Sequence, residues 1–139
     1  MLTSDNRALA RESAVKSMVL LRNEGVLPLQ TGIRIGIAGT LASDKSEMTG
    51  TWAIRAVGED CISIADAFEA RGINIICITD TKDIHFNEVD VYIVAAGERK
   101  SQSGEAASRS DIGLQPEESQ IIDILLSTGK PVIVVLFNG

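Results

Sequence analysis

The sequence is poor in the side chains that most often cross-link a chain or hold a metal, with two cysteines and one histidine in 139 residues. Cys61 and Cys77 each lie among apolar residues, so we expect buried free thiols and neither a disulfide framework nor a metal site. His85 has no second histidine or cysteine nearby at ligand spacing, which favours a surface or loop histidine. We therefore expect no metal and no other cofactor.

The chain also lacks an excess of positive charge and long apolar runs. Its net charge of −6 makes nucleic acid and anionic membranes poor partners. A membrane span needs roughly 18 or more consecutive apolar residues, and no such run is present. Residues 1–11 are largely polar and charged, unlike a secretory signal. A signal could precede this sequence, so the compartment stays open between periplasm and cytoplasm.

What the sequence does contain is an alternation of helical and strand patterns, without an internal repeat. Ser4 or Asp5 can cap a first helix that runs to about Asn23, Asp60 is expected to cap a second, and Pro116 begins a third. Apolar residues at helical spacing predict the buried faces: Ala8, Val15, Met18 and Val19 in the first helix, Ile64, Ala67 and Phe68 in the second, and Ile121, Ile122, Leu125 and Leu126 in the third.

Four short apolar runs between these helices predict strands, at residues 33–38, 73–78, 89–96 and 132–137. Alternating helices and strands indicate an α/β fold with three layers and an open, mostly parallel, flavodoxin-like sheet. Right-handed crossovers favour the strand order 2-1-3-4. Residues 80–88, between the second and third strands, are expected to form a polar connection with one or two helical turns.

The predicted strand order reverses between strands 1 and 3, and ligands of open α/β sheets bind beyond the carboxyl ends of the strands at such a point. The loops that leave these two strand ends, residues 39–59 and 97–113, are also the longest irregular segments of the chain. Long polar loops on a rigid scaffold often carry function. We expect both loops to form one site, with a solvated connection as the alternative reading of the second loop.

The carboxylates expected near this site are Glu98 and Glu105, with Asp111 further along the second loop. Glu105 lies between Gly104 and small residues, so the loop can present it close to a ligand. A general acid needs a carboxyl kept protonated near neutral pH, which a pocket closing over Glu105 could achieve. Arg109 is expected to pair with Asp111 or Glu98 rather than with Glu105. A solvated glutamate is the alternative.

Trp52, the only tryptophan, lies on the first loop two residues after Gly50, away from the helix and strand periods. An aromatic face beside carboxylates suits the C–H face of a sugar ring, whereas a plug between loop and sheet is the alternative.

A nucleotide- or flavin-binding flavodoxin-like module is a competing hypothesis, because Gly36 and Gly39 lie at the first strand and Asp80 follows the second. However, the spacing lacks the G-x-G-x-x-G fingerprint, and a loop rather than a helix follows. Asp80 also lies about 40 residues beyond Gly39, where the fingerprint expects about 20. A third hypothesis is a non-catalytic structural domain.

Five motifs occur in order along the chain. They are residues 7–29, ending Leu-Arg-Asn-Glu-Gly-Val-Leu-Pro-Leu; residues 35–42; Gly50-Thr51-Trp52; Ser-Gly-Glu-Ala-Ala-Ser-Arg-Ser-Asp at 103–111; and Gly-Lys-Pro-Val-Ile-Val-Val-Leu-Phe-Asn-Gly at 129–139. Together they resemble the C-terminal α/β sandwich domain of family 3 glycoside hydrolases, the β-glucosidases and their relatives. Thr40 stands where that family usually has a proline. The similarity covers nearly the whole chain.

The resemblance implies a retaining glycosidase in which a (β/α)8 barrel supplies an aspartate nucleophile and this domain supplies the acid/base glutamate. Glu105 matches that glutamate, and Trp52 matches an aromatic residue of the leaving-group subsite. Glu98 matches the glutamate that ends the strand and is expected to support the site, as are Arg109 and Asp111. The substrate implied is a β-linked glucoside or oligosaccharide.

The sequence departs from this family by lacking the barrel and the strands that would follow residue 139. We therefore expect a piece of a longer protein, with an N-terminal helix and connector at residues 1–30 and a sandwich domain at 31–139 that is incomplete at its C-terminus. Without a nucleophile, this chain is expected to have no glycosidase activity alone.

Overall fold

The computed structural model describes residues 3–80, 82 and 88–138. Its helices and strands, in chain order, are α1 (Ser4–Ser17), β1 (Ile35–Ala38), α2 (Ile64–Glu69), β2 (Ile75–Ile78), β3 (Val91–Gly97), α3 (Pro116–Ser127) and β4 (Val132–Phe137). Three short 3-10 turns, Thr40–Ala42, Glu47–Thr49 and Gly58–Asp60, lie between β1 and α2. The predictions for His85 and for most of the 80–88 connection fall outside the described residues.

The four strands form one parallel sheet in the order β2-β1-β3-β4, which confirms the predicted α/β class and strand order. The register pairs Ile37 of β1 with Cys77 of β2 on one side and with Ile93 of β3 on the other. Because every strand runs the same way, all carboxyl ends lie along one edge. The chain reverses direction across the sheet between β1 and β3, as the sequence predicts.

Alternate side chains of β1 and β3 enter separate apolar clusters on the two faces of the sheet. One cluster contains Val91 and Ile93 and is joined by Ile64 and Phe68 of α2. The other contains fully buried residues of β3 and of α3: Tyr92, Val94, Ala96 and Leu125. Helices α2 and α3 thus cover opposite faces of the sheet, and the fold has three layers.

Tyr92 lies at the centre of the second cluster with no exposed surface. Its hydroxyl makes no hydrogen bond within the described part of the chain. Burial raises the pKa of Tyr92.

The prediction for the first helix is wrong at both ends. Thr3, rather than Ser4 or Asp5, caps it through the backbone N–H of Asn6, and the helix ends at Ser17 rather than near Asn23. None of its residues is buried, and Val15, Met18 and Val19 are exposed. The reason lies in residues 18–21, which are four consecutive apolar residues without helical spacing, and Met18 already has an extended backbone.

The second helix begins later than predicted, because Asp60 belongs to a 3-10 turn and Ser63 is the cap. Ser63 and Asp66 form a reciprocal capping box, and the hydrogen bonds from Ser63, its backbone N–H first, lower the pKa of Asp66. This later start buries Ala65 and leaves Ala67 exposed. In α3, Leu125 is buried as predicted, but Leu126 is 55% exposed.

Both cysteines are free, but the prediction of burial is wrong for Cys77, which is exposed, and Cys61 is half-buried. Cys77 lies near the end of β2, an edge strand with a neighbour on one side only.

Candidate functional site

The carboxyl ends of β1, β3 and β4 approach each other at the backbone. Gly39 follows β1, and a side chain there would collide with the carbonyl oxygen of Ala95. Gly97 ends β3 with φ +133°, and a side chain there would collide with the carbonyl oxygen of Phe137. The next residue, Glu98, donates its backbone N–H to the same carbonyl at 2.8 Å. Both loops of the predicted site therefore leave from a closely packed base.

The structure brings these two loops together, as the predicted strand order requires. Lys100 of the second loop donates its backbone N–H to Glu47 Oε2 of the first loop at 2.7 Å. Its carbonyl accepts a hydrogen bond from Thr51 Oγ1 at 2.9 Å. Arg99 donates from its guanidinium to the hydroxyl of Thr40. The tryptophan-bearing loop and the glutamate-bearing loop thus lie at the same edge of the sheet.

Glu105 lies on an exposed turn of the second loop. Its neighbours both have positive φ, +103° at Gly104 and +61° at Ala106, and the N–H of Ala107 donates to the carbonyl of Gly104 at 3.2 Å. Positive φ is uncommon for alanine and marks a turn held by its surroundings. The turn therefore leaves the Glu105 side chain accessible to a molecule that approaches this edge of the sheet.

Arg109 pairs with Glu98, one of the two partners that the sequence left open. The Arg109 Nη1 to Glu98 Oε1 distance is 3.6 Å, and only 17% and 26% of these side chains are exposed. Arg109 Nη2 also donates to the carbonyl of Gly113 at 3.0 Å. Asp111 does not pair with Arg109 and instead accepts the N–H of Gly113 at 2.8 Å. Glu98, Arg109 and Asp111 thus brace the loop internally.

Trp52 is 74% exposed, so it does not plug a gap between the loop and the sheet. Ile54, two residues further on, is 96% exposed. The first loop therefore offers an aromatic face at the same edge as Glu105. Exposed aromatic surface beside polar groups is typical of binding surfaces.

Residues 108–111 and 114–116 line a shallow cavity of about 320 Å³ between the second loop and the start of α3. Arg109 and Asp111 contribute to its wall, whereas Glu105 does not.

Glu118 supports the base of the second loop, and this contact was not predicted from the sequence. Its Oε1 accepts the N–H of Gly97 at 3.0 Å, and its Oε2 accepts the N–H of Gln115 at 3.1 Å. One carboxylate thereby joins the base of the second loop to the first turn of α3. The Gln115 and Glu118 pair, at the spacing of a capping box, signals the helix start but not the bond to β3.

The glycines that raised the nucleotide-binding alternative serve strand packing. A side chain at Gly36 would lie 2.8 Å from Tyr92 Cδ1, and Gly39 faces the backbone of β3. The first loop begins with a 3-10 turn, Thr40–Ala42, and not with the α-helix whose N-terminus would bind a phosphate. This geometry disfavours a dinucleotide site after β1.

Within residues 3–80, 82 and 88–138, no group of three or more histidine, cysteine, aspartate or glutamate residues could hold a metal ion. Among the same residues, no helix has the length and apolar character that a membrane span requires.

The fold and the two contacting loops define an open parallel α/β domain with a candidate site at the carboxyl edge of its sheet. Residues 18–139 match the family model described as the glycosyl hydrolase family 3 C-terminal domain, and the chain belongs to this family.

Known proteins similar to this chain are glycosidases. A periplasmic beta-glucosidase of Salmonella typhimurium is 28% identical over 96% of this chain and 22% of its own length. A probable exo-1,4-beta-xylosidase of Aspergillus fumigatus is 30% identical over 99% of this chain and 19% of its own length. The crystal structure of a mutant beta-glucosidase from Listeria innocua in complex with laminaribiose superposes on this chain with a TM-score of 0.89 at 27% sequence identity. The superposed part covers 99% of this chain and 21% of the beta-glucosidase chain. The chain spans about a fifth of these relatives.

Proposed function

We propose that this chain is the C-terminal domain of a retaining β-glucosidase-like enzyme and that Glu105 is its acid/base residue. The observation that carries the proposal is the exposed Glu105 turn, joined by hydrogen bonds to the loop of Trp52 at the carboxyl edge of the sheet. Family membership and the glycosidase relatives support it.

In this proposal, a (β/α)8 barrel elsewhere in the longer polypeptide supplies an aspartate nucleophile. In the first step, the aspartate attacks the anomeric carbon while Glu105 donates its proton to the leaving oxygen. In the second step, the Glu105 carboxylate takes a proton from the water that hydrolyses the glycosyl-enzyme. A retaining mechanism of this kind places the two carboxyl groups about 5–5.5 Å apart.

Trp52 contributes to the leaving-group subsite, where its exposed face stacks on the sugar or aglycone. Glu98, Arg109 and Asp111 support the loop, since their bonds run within it. The substrate is a β-linked glucoside or oligosaccharide, and the xylosidase relative makes a β-xyloside the second candidate. The chain alone is inactive, because a double displacement needs both carboxyl groups.

The test is Glu105→Gln in the complete polypeptide, measured on two β-glucosides. With an alkyl leaving group that needs protonation, kcat/KM should fall by roughly 10²–10⁴-fold. With a dinitrophenyl leaving group, which departs without a proton, the fall should be within about tenfold.

Glu117→Gln is the matched control, because Glu117 is an exposed glutamate of α3 outside the two loops, and it should leave both rates unchanged. Equal slowing of both substrates by Glu105→Gln would remove the acid assignment.

A further inference from the structure

The hydroxyl of Thr51 is held between two groups of the second loop. Thr51 Oγ1 donates to the carbonyl of Lys100 at 2.9 Å and lies 2.9 Å from the hydroxyl of Ser103. A hydroxyl has one hydrogen to donate and two lone pairs. Since its hydrogen is directed to Lys100, Thr51 accepts the hydrogen bond from Ser103. One side chain of the first loop thus fixes two points of the second loop, three residues apart.

The methyl group of the same side chain occupies the space beside Gly104. A side chain at Gly104 would collide with Thr51 Cγ2, and Gly104 has φ +103°, which an L-residue with a side chain adopts only under strain. Thr51 therefore contacts the residue that immediately precedes Glu105. It also immediately precedes Trp52, so its non-covalent contacts with Ser103 and Gly104 link the chain segments that carry the two candidate functional side chains.

Among the described residues, the other hydrogen bonds between the loops come from Arg99, which donates to the hydroxyl of Thr40, and from Lys100. Glu47 Oε2 accepts the N–H of Lys100 at 2.7 Å, and Lys100 Nζ donates to the carbonyl of Ser46 at 3.3 Å. These bonds hold the loop at Lys100, five residues before Glu105. Within residues 103–107, the turn is supported by the contacts of Thr51 with Ser103 and Gly104 and by the Ala107 to Gly104 hydrogen bond, whereas the Arg109–Glu98 ion pair braces the loop beyond the turn.

We propose that Thr51 is a positioning residue, whose hydroxyl group, with a smaller contribution from its methyl group, sets the position at which Glu105 is presented to the leaving oxygen. This inference rests on the proposed acid/base role of Glu105. A displacement of about 1 Å in a reacting group costs roughly 10²-fold in rate. Loss of the Thr51 hydroxyl should therefore impair proton donation and have little effect on substrates that need none.

The experiment compares Thr51→Val and Thr51→Ser in the complete polypeptide on the same two glucosides. Valine is close to threonine in shape but removes the hydroxyl, whereas serine keeps the hydroxyl and removes the methyl group. Thr51→Val should lower kcat/KM for the alkyl glucoside by about 10- to 100-fold and for the dinitrophenyl glucoside by no more than about threefold. Thr51→Ser should recover most of the loss on the alkyl glucoside.

Ser103→Ala is a second variant, in which the substitution lies in the second loop and the first loop keeps its natural sequence. It removes one of the two bonds of Thr51 and leaves the bond to Lys100, so the alkyl glucoside should slow by about threefold to tenfold. The urea midpoint of each variant shows whether the variant is folded. If Thr51→Val does not fold, Ser103→Ala tests the proposal, and if Ser103→Ala does not fold, Thr51→Val tests it.

The outcomes separate this inference from the proposed function. If Glu105→Gln slows the alkyl glucoside selectively but Thr51→Val and Ser103→Ala slow both glucosides equally, or neither, then Glu105 is the acid and Thr51 does not position it. If Glu105→Gln slows both glucosides equally, both assignments are wrong.

Discussion

The amino and carboxyl ends of the parallel strands are built in different ways. At the amino ends, Arg34 before β1 and Asp90 before β3 form a bidentate ion pair, with Arg34 Nη2 to Asp90 Oδ1 at 2.7 Å and Arg34 Nε to Asp90 Oδ2 at 3.0 Å. At the carboxyl ends, strand backbones touch and two long loops lie against each other through hydrogen bonds.

If the proposed function is right, the residues at the amino ends stabilise the fold and the exposed residues at the carboxyl ends act on the substrate. Charges at the amino end satisfy each other, and the hydrogen bond from Arg34 lowers the pKa of Asp90 strongly. At the carboxyl end, carboxylates of the second loop and α3 brace the backbone, while Glu105 and Trp52 remain exposed. Changes at the amino end should therefore alter stability alone, and changes at the loop tips should alter activity alone.

The largest effect is expected at the base of the carboxyl end, from Gly97→Ala. The new methyl group would collide with the carbonyl of Phe137 at an unfavourable φ, so the free energy of unfolding of this chain should fall by roughly 3 kcal/mol or more. Urea denaturation measures this.

Gly32→Ala is the matched control for that change at the amino end. Gly32 also has a positive φ, +82°, but has open space around it, so only the backbone conformation is penalised, by about 1–2 kcal/mol. Equal losses for the two variants would show that the close approach of β3 and β4 contributes nothing.

Glu118→Ala tests whether the base of the second loop and its tip are coupled. The variant removes the acceptor of the Gly97 and Gln115 N–H groups, so the free energy of unfolding should fall by about 1–2 kcal/mol. The rate on the alkyl glucoside should also fall in the complete polypeptide. An unchanged rate despite lower stability would mean that the loop tip is independent of its base.

Trp52→Ala should change binding without changing stability, since 74% of this side chain is exposed. Loss of a stacking surface should weaken the leaving-group subsite by about 0.5–1.5 kcal/mol, seen as a two- to tenfold higher KM for a disaccharide. Ile54→Ala removes an exposed apolar side chain from the same loop and should leave KM unchanged. A lower urea midpoint for Trp52→Ala would contradict the expectation that changes at the loop tips alter activity and leave stability unchanged.

Asp90→Asn is the smallest change and should affect stability only. Because the folded-state pKa of Asp90 lies below its unfolded value of about 3.9, the stability that the carboxylate contributes is present above about pH 4 and is lost as the pH falls further. The stability difference between the natural chain and the variant should therefore shrink on acidification.

Asp123→Asn, on the exposed side of α3, is the matched control for replacing a carboxylate by an amide and should leave the free energy of unfolding at neutral pH unchanged. A changed rate for Asp90→Asn in the complete polypeptide would contradict the expectation that changes at the amino ends of the strands alter stability alone.

The sheet was predictable because its strands carry strong and local signals. The run Val132–Phe137 has the bounds that the sequence predicts, and the strand order follows from the handedness of the crossovers. The meeting of the two loops follows from that order. The first helix was not predictable in the same way, because none of its residues is buried and so no packing contact selects the residue at which it ends.

The candidate site was predictable in its residue types but not in its contacts. Glu105 and Trp52 are conspicuous in polar, glycine-containing segments. The expected ion-pair partner of Arg109 could be narrowed to one of two carboxylates, Glu98 and Asp111. The contacts that Thr51, Glu47 and Glu118 make with the second loop could not be predicted from the sequence, since each joins residues at least 20 positions apart. The roles of Glu105 and Trp52, and the division of the chain at residue 30, remain predictions.

Trp52 and Tyr92 also give this domain two separate optical reporters, because the chain has one tryptophan and one tyrosine. The indole lies in water at the rim of the candidate site, and the phenol lies in the dry interior beneath α3. Fluorescence excited at the red edge of the absorption band therefore follows events at the rim, and the near-ultraviolet circular dichroism of the phenol follows the packing of the interior. Changes at the rim and changes in the interior can thus be followed by two different signals in one unlabelled sample.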